Sequence, residues 1–107
     1  MAIQQMSPAA LSAALAEGRK LVLLDVREDV EIELAALSGI THIPLHALAR
    51  RLSELDPDLP TVCICHHGVR SMGAARFLAD QGFDDLYNLA GGIDRYSLDV
   101  DPHIPRY

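Results

Sequence analysis

Apolar and polar positions along the chain change period several times, and each change marks an element. Ser7-Pro8, followed by Leu11 and Leu15, reads as an N-cap, a first-turn proline and an amphipathic helix that Gly18 ends. The continuous apolar run after Lys20, ending at Asp25, is the pattern of a strand buried on both faces. Residues 28–37 predict a short acidic helix closed by Ser38-Gly39, and Thr41 to Ile43 a brief strand stopped by Pro44. Leu48, Leu52 and Leu55 give His46 to Leu55 helical spacing. Thr61 to Cys65, rich in β-branched residues, is the next strand, and Cys65 ends it. A polar loop, His66 to Arg70, leads into a helix from Ser71 to Gln81 that Gly82 closes. Leu86 to Leu89 is a last strand, and Gly91-Gly92 opens a turn into a final short helix. The tail from Asp99 to Tyr107, with Pro102 and Pro105, is expected to wrap the surface in extended form. Strands alternating with helices predict an α/β fold: three layers, with a mainly parallel central sheet flanked by helices. Sites in such sheets form at the carboxyl edge of the strands, where Asp25 and Cys65 both fall.

Composition narrows the function. With 107 residues, half of them hydrophobic and 22% charged, residues 1–107 are expected to fold as a single domain with a real core. A net charge of −6 with scattered arginines argues against nucleic acid or an anionic membrane as partner. Residues 1–11 lack the basic start and apolar stretch of a signal peptide, and the apolar run at 21–24 is too short to cross a bilayer. Cys63 and Cys65 sit two residues apart, where a disulfide would close a small strained ring and staple nothing. They point instead to a reducing, cytoplasmic setting and to chemistry.

Cys65 is the residue to explain. It stands between a strand and a helix, and Gly68 lets the loop after it curl without steric cost. Such a curl turns several N–H groups inward and makes an anion-binding nest, to which the positive end of the next helix adds. His66, His67 and Arg70 supply further donors or charge. Each favours thiolate over thiol, which would make Cys65 a nucleophile, and the same nest would hold an anion attached to sulfur. A structural cysteine needs no such collar. A zinc site built from Cys63, Cys65, His66 and His67 lacks the second, separated ligand pair that tetrahedral zinc takes.

These residues carry a resemblance. Val62 to Arg70, with Cys-His-His-Gly-Val-Arg at its end and Ser71 after it, resembles the active-site loop of single-domain rhodaneses. Leu24-Asp-Val-Arg-Glu28, Gly39 to Leu45 with His42-Ile-Pro44, and Asn88-Leu-Ala-Gly-Gly-Ile93 resemble three further motifs of that family, in the family's order and over nearly the whole chain. The resemblance implies a thiosulfate sulfurtransferase-type enzyme. Cys65 would take a sulfane sulfur from a small anionic donor, hold it as a persulfide and yield it to a thiophilic acceptor such as cyanide or a thiol. No metal or organic cofactor is implied. Arg70 lies five places after Cys65; in the related phosphatases and arsenate reductases the loop is one residue longer, with its arginine six places on, so this length favours sulfur over phosphate. A persulfide carrier acting with a protein acceptor is the alternative, and a phosphatase-like enzyme a weaker one. The chain departs from the family at Ala35-Ala-Leu-Ser38, where Gly-His-Ile is common, and at Tyr96, where Trp is common. Both bear on the donor more than on the reaction.

The substrate-binding set expected from this reading is His66, His67, Gly68, Val69 and Arg70. Arg70 either faces the substrate anion, the orientation we favour from sequence, or braces the loop through a carboxylate. Asp25, Arg27 and Glu31 are expected to support the loop, a plain surface ion pair being an equal alternative for the first two. Cys63, Tyr87, Phe77 and Phe83 read as core, His42, His46 and His103 as surface or packing residues, and Asp94 and Arg95 as solvated charges.

Overall fold

The computed structural model describes residues 3–107. Its elements in chain order are β1 (Ile3–Met6), α1 (Pro8–Ala16), β2 (Val22–Asp25), α2 (Asp29–Leu34), β3 (Ile40–His42), two 3-10 segments (Leu45–Ala47 and Ala49–Glu54), β4 (Thr61–Ile64), α3 (Val69–Asp80), β5 (Leu86–Leu89) and α4 (Gly92–Asp99). All strand pairs are parallel, in the order β1-β5-β4-β2-β3. The carboxyl ends of β2, β4 and β5 therefore share one edge.

Alternation along the strands divides the core between two faces. Leu24, Cys63 and Cys65 face α3, where Ala74, Ala75 and Leu78 meet them. Leu23, Val62 and Ile64 face the opposite layer, with Leu11 of α1 and Ile93 and Tyr96 of α4. Cys63, Phe83 and Thr61 are buried, as a core strand and its neighbours require. No helix among the described residues is long and apolar enough to cross a membrane.

Several elements differ from the sequence expectations. β1 carries Gln4 and Gln5 exposed and pairs only with β5, so an edge strand formed without the apolar run that marks a central one. The expected helix over 46–55 is two 3-10 pieces with a break at Arg51, where φ is −112° and ψ is 16°. The leucines explain this: Leu45 to Leu48 and Leu52 to Leu55 are three apart, the 3-10 repeat, and the break supplies the extra residue between them. α2 is shorter than the acidic stretch, and α3 starts two residues early, so Val69 and Arg70 form its first turn rather than the loop. The tail turns inward after α4. Ile104 is buried, and Ser97 Oγ donates to its carbonyl at 2.6 Å.

Leu24 is fully buried in the central β2 while Leu98 of α4 is 51% exposed. Leu24→Ala should therefore cost about 2–5 kcal/mol of unfolding free energy in urea titration, and Leu98→Ala within about 0.5 kcal/mol. Equal costs would contradict this placement of the core.

Candidate active site

Cys65 follows β4 directly and α3 begins four residues later. The first turn of α4 sets the loop between them: Ile93 N donates to the Cys65 carbonyl at 2.9 Å and Asp94 N to the His66 carbonyl at 3.2 Å. With these carbonyls held by α4, the amides that follow are free to turn the other way. Gly68 N donates to Cys65 Sγ at 3.0 Å. Gly68 can do so because it takes φ of +97°, and a Cβ there would press on Leu89 O at 3.3 Å.

A second donor comes from α3. Ser71 Oγ lies 3.2 Å from Cys65 Sγ and 2.5 Å from Asn88 Oδ1. Asn88 Nδ2 in turn donates to the Gly68 carbonyl at 3.0 Å and to Gln5 Oε1 at 3.2 Å. The Ser71 hydroxyl has one proton, so the arrangement serves both states of the cysteine. A thiol donates to Ser71 while Ser71 donates to Asn88; a thiolate accepts from Ser71. Cys65 is only 1% exposed, so only a slender terminal atom could reach its sulfur. Cys63, one pleat away, is pushed up to about 12 by burial and then by the neighbouring Cys65 charge, which removes it as a nucleophile.

The arginines are placed differently from expectation. Arg70 does not point at the sulfur: Nη1 and Nη2 donate to Glu31 Oε1 and Oε2 at 2.6 and 2.8 Å, a bidentate brace from α3 to α2. Arg27 and Asp25 are not a surface pair. Both are fully buried, joined at 2.9 Å from Nε to Oδ1 and 2.7 Å from Nη2 to Oδ2, and Arg27 Nη2 also donates to the Ala35 carbonyl at 2.7 Å. Asp94 is not simply solvated, since Arg106 donates to it at 2.8 Å. The arginines nearest the loop are thus each matched by a carboxylate. Donors to an anion at Cys65 are the Gly68 amide, the Ser71 hydroxyl and the N-terminus of the 12-residue α3.

His66 and His67 lie at the outer side of the loop, with ring centroids 3.8 Å apart. Burial, then the charge of His67, holds His66 below its ordinary value, and its Nε2 has no hydrogen-bond partner. Val69 projects into solvent, 78% exposed. His66, His67 and Asp94 place three ligand atoms within 4.8 Å of one another, the group among the described residues best placed to hold a metal ion, though Asp94 is already held by Arg106. Sequence reasoning assigned no role in the site to Ser71, Asn88, Gln5, Gly92 or Tyr107. The first, second and fourth stand in the quoted motifs. Gln5 and Tyr107 left no local signal.

Residues 7–99 match the family description Rhodanese-like domain. Thiosulfate sulfurtransferase GlpE of Pseudomonas fluorescens is 40% identical over 73 residues, 68% of this chain and 67% of that protein. YtwF of Bacillus subtilis is 33% identical over 102 residues, covering 95% of this chain and 98% of that one. Rhodanese-like/PpiC domain-containing protein 12 of Arabidopsis thaliana is 46% identical over 89 residues, but these span 30% of that protein's length. Among solved structures, a rhodanese-related protein from Thermoplasma volcanium superposes with a TM-score of 0.84 at 26% identity over 97% of this chain and 99% of that one.

Two predictions follow from the loop and its brace. Gly92 has φ of +66°, and a Cβ there would collide with the His66 carbonyl and lie 2.6 Å from the Cys65 carbonyl oxygen. Gly92→Ala should cost at least about 2 kcal/mol in chemical unfolding; a loss under half of that would mean the loop is not held there. The Glu31 carboxyl is lowered from its ordinary 4.5 to about 2, chiefly by Arg70, against the effect of burial. Its folded value lies below its unfolded one, so its contribution to stability is complete above about pH 4.5 and lost as pH falls toward 2. Urea midpoints should fall more steeply across that window in the wild type than in Glu31→Gln.

Proposed function

Because this chain belongs to the rhodanese-like family, we propose that it is a sulfurtransferase moving sulfane sulfur through a persulfide on Cys65. The observation that carries this reading is the pair of donors on one buried sulfur, the Gly68 amide at 3.0 Å and the Ser71 hydroxyl at 3.2 Å, at the head of a parallel sheet. They are placed to stabilise negative charge on that sulfur as the reaction develops it.

With thiosulfate as donor, the Cys65 thiolate attacks the outer sulfur. A Cys65 S–S bond forms, the bond between sulfane and sulfonate sulfur breaks, and sulfite leaves with that electron pair. Cyanide then attacks the outer sulfur of the persulfide. A carbon–sulfur bond forms, the Cys65 S–S bond breaks, and thiocyanate leaves while the thiolate is restored. The two steps balance with no external oxidant or reductant. His66, His67, Gly68 and Val69 form the approach to the sulfur, and Arg70 keeps α3 and α2 in register through Glu31. Relatives named thiosulfate sulfurtransferase support this donor. We read residues 1–107 as one such domain working in a reducing, cytoplasmic setting.

A protein acceptor is the second reading. A phosphatase reading is disfavoured by the short loop between Cys65 and Arg70.

Incubation with thiosulfate should add one sulfur atom to the intact mass, and reductant should remove it. The adduct should vanish in Cys65→Ser and persist in Cys63→Ser. An adduct retained in folded Cys65→Ser would overturn the assignment, and Cys65-dependent hydrolysis of an aryl phosphate would replace it with phosphatase chemistry.

A further inference from the structure

Tyr107 lies beyond the family-matched residues 7–99, yet its side chain stands against the loop that follows Cys65. Its hydroxyl accepts from Arg27 Nη1 at 2.9 Å and donates to Glu31 Oε2 at 2.8 Å. That same oxygen takes Arg70 Nη2 at 2.8 Å. Its ring stacks on the His66 imidazole, centroids 3.8 Å apart and planes 6° from parallel, and the Arg27 guanidinium carbon is 5.8 Å from the ring centroid. One side chain therefore touches the residue after the nucleophile, the buried arginine behind the loop and the carboxylate that braces α3.

This placement is built rather than incidental. An unanchored tail frays. Here Ile104 is buried and its carbonyl is held by Ser97, and Arg106 grips Asp94, whose own amide holds the His66 carbonyl. The Tyr107 hydroxyl is also raised above its ordinary value, by burial first.

We propose that Tyr107 is a positioning residue of the sulfur-transfer site, fixing the His66 ring and the Glu31–Arg70 brace on either side of the approach to Cys65. This rests on the sulfurtransferase reading. Glu31 Oε2 accepts from both Arg70 and the Tyr107 hydroxyl, so the hydroxyl limits where that carboxylate can turn. The ring holds one face of His66 while the other meets His67. Neither contact reaches Cys65 Sγ, whose donors are Gly68 and Ser71. Removing Tyr107 should therefore loosen the entrance and leave the reacting sulfur untouched, which separates donor binding from the chemical step.

The test is steady-state transfer from thiosulfate to cyanide by the full chain, wild type against Tyr107→Phe and Tyr107→Ala, with thermal unfolding of each. Tyr107→Ala, which loses the stack as well as the hydroxyl, should raise KM for thiosulfate roughly tenfold, with kcat within about threefold of wild type. Tyr107→Phe keeps the stack and loses the hydroxyl, so its KM should rise about two- to fourfold. Should Tyr107→Ala unfold below the assay temperature, Tyr107→Phe decides alone. A KM within twofold of wild type in the folded variants, or a fall in kcat at unchanged KM, would overturn the positioning role even if the wild type forms its persulfide. A wild type with no Cys65-dependent transfer would overturn the sulfurtransferase reading itself, and this inference with it.

Discussion

Two hydrogen bonds from the first turn of α4, to the carbonyls of Cys65 and His66, set the geometry on which the site depends. A chain leaving a strand can point its peptide units either way. Here the unpaired amides of a helix N-terminus claim two successive carbonyls on one side, and the Gly68 amide is turned toward the sulfur on the other. The sheet order makes this possible. β5 lies beside β4, so the helix that follows β5 starts next to the loop that follows β4. The approach is close enough that Gly92 leaves no room for a side chain. A backbone contact between two segments far apart in sequence thus shapes the surroundings of one atom.

Charge has an architectural part here. Arg70 with Glu31 and Arg106 with Asp94 each join segments that the sheet alone would leave independent, while Arg27 with Asp25, two residues apart, pins the chain as it leaves β2. The buried Arg27–Asp25 pair is the costliest to bury. Its desolvation is offset only because the guanidinium is nearly saturated, by Asp25, Ala35 and Tyr107. The groups that touch the sulfur directly are local dipoles, an amide and a hydroxyl, with the start of α3 beside them. Dipoles fixed by packing need no reorganisation when charge develops at the sulfur.

Much of this was legible in the sequence, for physical reasons that also mark its limits. β2 and β4 are buried on both faces and show it as apolar runs, and Gly68, Gly91 and Gly92 announce tight backbone. The family motifs located Cys65 and the loop, since they record local chain geometry. β1 escaped notice because an edge strand with one neighbour can carry glutamines. Arg70's direction could not be read: a guanidinium one turn into a helix reaches either the loop or α2, and only the position of Glu31, 39 residues away, decides. Gln5 and Tyr107 were invisible as site residues because their partners lie up to 83 residues distant, and Asn88, though within a motif, gave no sign of its bond to Ser71. Local pattern fixes local conformation, whereas the polar partners of a site are set by tertiary placement.

The contrast between the two cysteines shows what that placement contributes. Cys63 and Cys65 face the same side of the sheet and are 0% and 1% exposed. Burial alone would disarm both, because a charged sulfur in apolar surroundings has nothing to replace its water. Cys63 sits mid-strand, where neighbouring amides are committed to the ladder with β2 and β5, and its thiol is driven up to about 12. Cys65 is one residue past the end of β4, where the chain has left the ladder. Its sulfur meets Gly68 N and Ser71 Oγ, and Ser71 is backed by Asn88, the residue paired in register with Cys63 itself. A distance of two residues, from inside a ladder to just beyond it, separates an inert thiol from a sulfur with donors waiting for its charge.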